Sequence, residues 1–88
     1  VERREDFAMG VVPTGALVLT AGVDVQDDRL ECDVWGWAEG FSSWLVDHVV
    51  IQGSPRDREP WDELARVLAR DWPRQGGGAM RIARLCVD

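Results

Sequence analysis

The sequence contains no lysine: all ten basic residues are arginine, set against sixteen acids for a net charge of −6. A protein whose main act is to hold a nucleic-acid backbone needs local positive charge, so this balance by itself argues against that role unless divalent ions or further chain supply it. Cysteine is scarce as well. Cys32 and Cys86 sit in strand-like runs without CxxC spacing, which argues against a disulfide framework or a structural zinc site and leaves two reduced core thiols as the expectation. No apolar run is long enough to span a bilayer, and the N-terminal residues lack the charged, apolar, small-residue order of a secretory signal. A cytoplasmic address without membrane contact is therefore expected. The single histidine, His48, falls inside a strand-like run away from either strand end, where a surface or packing role is expected. Phosphate-loop patterns are missing too: Gly76, Gly77 and Gly78 are followed by neither GK[ST] nor GxGxxG, and they lead into a strand.

What is present fits one soluble domain with a thin core: 88 residues, 45% hydrophobic and 30% charged. Met80 to Asp88 reads as a strand still running where the sequence stops, so a fragment of a longer protein is expected. Residues 1–16 are mixed and close on the turn signal Val12, Pro13, Thr14, Gly15. They read either as a lead-in following an upstream domain or as a disordered terminus.

The chain is organised around Leu17 to Glu31. Leu17, Leu19, Ala21, Val23 and Val25 alternate with Val18, Thr20, Gly22 and Asp24, which predicts a strand with Asp24 on its less apolar face. A carboxylate in such a run, left buried and uncompensated, costs about 3–5 kcal/mol, so water, a partner or a cation must meet it. A hairpin loop of Asp27 and Asp28 would set Val25 near Leu30 and Asp24 opposite Glu31, gathering Asp24, Glu31 and Asp33 on one face. The next strand runs to Trp37. A third spans 43–51, with Trp44, Val46 and Val50 alternating with Leu45, Val49 and Ile51, and it places Trp35, Trp37 and Trp44 on a shared face, as covered core or as an aromatic binding patch.

After Gly53, Ser54 and Pro55 the pattern turns helical from about Arg58. Pro60 suits the first turn, and Trp61, Leu64, Ala65, Leu68 and Trp72 recur at the spacing of one face. Asp62 and Arg66 are spaced as a favourable pair on the opposite face. Pro73 and the glycine run end the helix. The predicted architecture is α/β: an antiparallel three-strand meander, a helix, and a last strand returned beside the first in parallel. Asp24 and Asp88 would then close two neighbouring strands at one edge. Two carboxylates so placed suit Mg²⁺ or Mn²⁺ and metal-assisted phosphodiester hydrolysis, although on the residues alone Asp24 as a turn-capping residue and Asp88 as a plain strand end is the stronger reading.

The run VPTGALVLTAGVDVQDDRLE (residues 12–31), followed by VWGW, SWLVD, a helix opening at PW and a closing strand ending in VD, resembles the nuclease region of the large terminase subunits of lambda-like tailed phages, the GpA family. The resemblance implies an RNase H-like mixed sheet, with residues 17–88 the N-terminal part of a truncated nuclease domain and residues 1–16 a linker from an absent ATPase domain. It implies cutting of concatemeric DNA during packaging, with double-stranded DNA, the small subunit and the portal or procapsid as partners, in the bacterial host cytoplasm; an oligomer is compatible with it. Asp24, in GVDVQ, corresponds to the first catalytic, metal-binding acid and Asp88 to the strand-end acid; the cofactor is Mg²⁺ or Mn²⁺, with ATP confined to the absent upstream domain. The small residue and Gly that follow the strand-end acid in this family, and a third acid further on, lie outside the sequence. The 88-residue chain is thus expected to cleave poorly alone, and a catalytically inactive docking module of a prophage remnant is the alternative. Glu31 is a further candidate ligand from its register alone. Asp47, in SWLVD, also matches the family pattern and is expected only to make a strand-end contact to arginine.

Overall fold

A computed structural model describes residues 2–3 and 9–88; the rest of the expected lead-in, residues 1 and 4–8, lies outside the described residues. The elements are β1 (Glu2–Arg3), β2 (Val18–Val25), β3 (Arg29–Trp37), a 3-10 turn at Glu39–Phe41, β4 (Ser43–Gln52), α1 (Arg58–Leu68), β5 (Trp72–Pro73), β6 (Ala79–Met80) and β7 (Ile82–Val87). The main sheet has the order β1-β4-β3-β2-β7. It is mixed: β2, β3 and β4 form an antiparallel meander, while β7 runs parallel to β2 and the short β1 parallel to β4.

A two-residue loop sets the first register. Gln26 N–H donates to the Arg29 carbonyl (2.9 Å), closing the chain over Asp27 and Asp28, and Val25 faces Leu30 while Asp24 faces Glu31. Alternation then sorts the faces as expected. Leu19, Ala21 and Val23 of β2 and Leu30, Cys32 and Val34 of β3 are buried, while Asp24 is exposed and Glu31 and Asp33 half-buried on the other side. The helix α1 packs over β3 and β4 on the apolar side.

Residues 9–16 pack against the same body. Val12 is fully buried; its N–H donates to the Pro73 carbonyl (2.8 Å) and its carbonyl accepts from Gln75 N–H (2.8 Å), and Ala16 also joins the core.

Three expectations are corrected. Val34 pairs with Asp47 but Trp35 with Leu45, so Val46 is an extra residue in β4. This bulge breaks the strict alternation: Trp44 and Val46 face the core before it, and Ile51 with Val49 after it. Nearer the hairpin end, Trp44 pairs with Gly36 and is buried on the face opposite Trp35 and Trp37, so the three rings do not share a side. In α1 the buried stripe is Pro60, Leu64 and Val67, rotated by about one residue from the expected one. Pro60 lies against Gly53, at φ +131°, where a Cβ would come within 2.6 Å of the ring. Trp61 sits at the flank, donating Nε1–H to the Pro55 carbonyl (2.7 Å). Arg66 pairs with Glu63 (2.6 Å) and Arg58 with Asp62 (3.6 Å), in place of the expected Asp62–Arg66 pair.

The helix also stops before Trp72. A residue ahead of proline is pushed from the helical to the extended region, and Trp72 and Pro73 form β5, paired with β6. Trp72 is the largest fully buried side chain, with the Arg70 guanidinium 4.7 Å from its ring centre. Among the described residues, no helix is long and apolar enough to cross a membrane.

Candidate metal centre

Asp88 N–H donates to the Val23 carbonyl (2.8 Å), and the Asp88 carbonyl accepts from Val25 N–H (3.4 Å). One residue bonded on both sides of another is the pairing pattern of parallel strands, so Asp88 stands directly beside Asp24 and both side chains project to the same face. Both line one open cavity together with Gly22, Glu31, Asp33, Trp35, His48 and Cys86. Gly22 leaves its floor clear, since a Cβ there would meet nothing within 4 Å. Asp24 is exposed rather than buried, so hydration compensates it and the penalty of a dry carboxylate does not arise. Its side-chain partner is the Gln26 amide, which donates to Oδ2 (2.6 Å).

Glu31 is differently placed. Arg29 Nε donates to Glu31 Oε2 (2.8 Å) while the same guanidinium reaches Asp28 (2.7 Å), and His48 Nε2 lies 3.3 Å from Glu31 Oε1. The other ring nitrogen, Nδ1, contacts Asp33 Oδ1. That hydrogen bond raises the His48 pKa above its ordinary value; partial burial opposes the rise, and the charges of Asp33 and Glu31 add to it. Asp47 lies at the bulge and accepts the backbone N–H of His48 (2.8 Å).

His48 is the residue whose place sequence reasoning missed. An uninterrupted strand would turn it toward the Trp44 and Val46 side, whereas the bulge at Val46 brings it opposite Asp33 on the acidic face. The available signal was the phase change itself: Trp44 and Val46 keep one alternation, Val49 and Ile51 the other.

The cysteines divide between the two faces. Cys32 is buried, and burial pushes its thiol up to about 11, with the charges of Asp33 and Asp47 adding to the rise. Cys86 is exposed, contrary to the expected core position, and lines the cavity. Cys32 pairs with Val23 and Cys86 with Gly22, adjacent positions that point to opposite sides of the sheet, so the two thiols do not bridge. Iodoacetamide at pH 8 is expected to label Cys86 alone in the folded chain and both thiols in denaturant, as counted by intact mass; labelling of Cys32 under native conditions would contradict its burial.

Among the described residues, no group of three or more His, Cys, Asp or Glu side chains is arranged as a ready-made metal cage. The donor set still suits one class of ion. Two carboxylates on an open, hydrated face match Mg²⁺ or Mn²⁺, which take one or two protein carboxylates and complete their shells with water and phosphate oxygens.

The chain belongs to the family described as terminase large subunit gpA, endonuclease domain, which matches residues 1–88. The terminase large subunit of Escherichia phage lambda is 38% identical over 87 residues, covering 99% of this chain and 13% of the lambda protein. That of Enterobacteria phage P21 is 38% identical over 77 residues, covering 88% of this chain and 12% of its own length. The chain thus spans about an eighth of the length of these curated relatives. No solved structure gives a significant match.

Proposed function

We propose that this chain is the opening part of an RNase H-like, metal-dependent DNA endonuclease domain in the large subunit of a phage DNA-packaging terminase. The observation that carries the reading is the in-register placement of Asp24 beside Asp88 across the parallel β2–β7 pair. A meander followed by a helix and a strand returned parallel to the first supports the RNase H-like assignment, and family membership supports the packaging role. Double-stranded DNA is the proposed substrate, and the small subunit and the portal or procapsid are the proposed partners of the whole protein. In that reading an ATPase domain lies upstream, and residues 9–16 belong to the nuclease body against which they pack.

The chain's own residues define how the site works. Asp24 is held within β2, and Asp88, directly after β7, is held beside it by its backbone hydrogen bonds to Val23 and Val25. Gln26 orients Asp24 through one oxygen, Oδ2. The missing side chain at Gly22 and the flat ring of Trp35 shape a cavity open enough to admit a phosphodiester. A divalent ion bound there supplies Lewis-acid polarisation and a more acidic water. The third acid of the family pattern is not among these 88 residues, so the chain alone is expected to cleave poorly.

Trp35 lines the cavity and supplies a direct test. Paramagnetic Mn²⁺ is expected to quench its fluorescence with saturation, and the quenching is expected to be lost in Trp35→Phe, Asp24→Asn and Asp88→Asn chains. Equal quenching in the two aspartate variants, or none in the unmodified chain, sinks the metal reading and leaves a docking module in its place.

A further inference from the structure

Four carboxylates line one side of this cavity, yet they divide into two unlike pairs. Glu31 has both oxygens engaged, one by Arg29 (2.8 Å) and one facing His48 Nε2 (3.3 Å), and Asp33 takes the remaining ring nitrogen. Asp24 and Asp88 meet no cationic side chain among the described residues; Asp24 has the Gln26 amide. Without His48, Glu31 and Asp33 would stand two residues apart on one strand face, Glu31 paired with an arginine that it shares with Asp28 and Asp33 with no cationic side chain among the described residues, an arrangement that recruits a cation. The backbone is shaped to prevent this: the extra residue Val46 turns His48 to the acidic face, directly across from Asp33.

We infer that His48 is a positioning residue that keeps Glu31 and Asp33 out of metal binding, so that this face offers one cation seat, at Asp24 and Asp88, instead of two. The inference rests on the metal-centre reading above and extends it. His48 acts as an internal counterion: its ring fills the place that a second divalent ion would otherwise take between the two carboxylates. Glu31, a candidate ligand from its register, is on this account a structural carboxylate.

The test follows the side-chain carboxyl ¹³C shifts of the labelled chain during a Mg²⁺ titration, which reads each acid separately. In the unmodified chain Asp24 and Asp88 are expected to move together, and Glu31 and Asp33 to respond at least about tenfold more weakly. His48→Ala is expected to strengthen the Glu31 and Asp33 response by about tenfold or more, and His48→Lys, which keeps a cation at the same position, to restore the original pattern. His48 is 39% exposed, so both variants are expected to fold, as the backbone amide spectrum reports. Glu31 and Asp33 titrating as strongly as Asp24 and Asp88 in the unmodified chain overturns the inference. So does an unchanged response in His48→Ala, or a His48→Lys chain that behaves like His48→Ala. If Asp24 and Asp88 never respond while Glu31 and Asp33 do so only after His48 is removed, the metal-centre reading fails and the role of His48 stands.

Discussion

Asp24→Asn in a full-length parent protein is expected to lower DNA nicking in Mn²⁺ by at least about a hundredfold while leaving ATP hydrolysis in place. The substitution removes one negative charge and changes neither shape nor packing. Asp24 projects from an exposed strand face, with the Gln26 amide as its partner, so stability should move by no more than about 0.5 kcal/mol, the range for surface positions. Loss of cutting with an unchanged melting curve therefore reads directly on the chemistry. Asp88→Asn is expected to act alike because the two residues are directly paired across β2 and β7. If both serve one seat, as proposed, the double variant is expected to be little worse than either single one. Retained nicking in Asp24→Asn removes it from the mechanism, and additive losses argue for separate roles.

The second large effect is on stability. Trp72→Ala is expected to cost about 3–5 kcal/mol in urea unfolding, the range for deleting a buried tryptophan, against the roughly 5–15 kcal/mol that holds a whole domain. Trp72 is fully buried between residues that come from opposite ends of the chain, with Val12 bonded to the neighbouring Pro73. Its indole Nε1 is buried without a hydrogen-bond partner among the described residues. Trp72→Phe should therefore cost much less than Trp72→Ala, because the unmet donor leaves together with part of the ring. Equal losses in the two variants would mean that the indole nitrogen is satisfied in solution.

The meander and its first register were legible because the hairpin loop is short and the alternation of Leu19, Ala21 and Val23 with Thr20, Gly22 and Asp24 is strict. The parallel return of the last strand was legible from element order, and with it the meeting of Asp24 and Asp88. Tertiary details were not. A bulge has no composition of its own, so Val46 as an extra residue, and the turning of His48 that results, left only a change of phase. The helix stripe was misplaced as well, and the contact of Pro60 with Gly53 across the turn is one that spacing does not show. Trp72 was assigned to the helix by spacing, and the proline after it decided otherwise.

β7 is the outermost strand on its side of the sheet among the described residues, and Leu85 and Val87 remain about half exposed on it. Edge elements with little buried surface fray before the interior opens. The acid contributed by that strand thus departs at the first stage of melting, while the meander that carries its partner stays folded. An ion bridging the two would bind the closed form alone, and at a hundred times its dissociation constant would add about 2.7 kcal/mol to that closure. Peeling of one strand would then switch such a centre off.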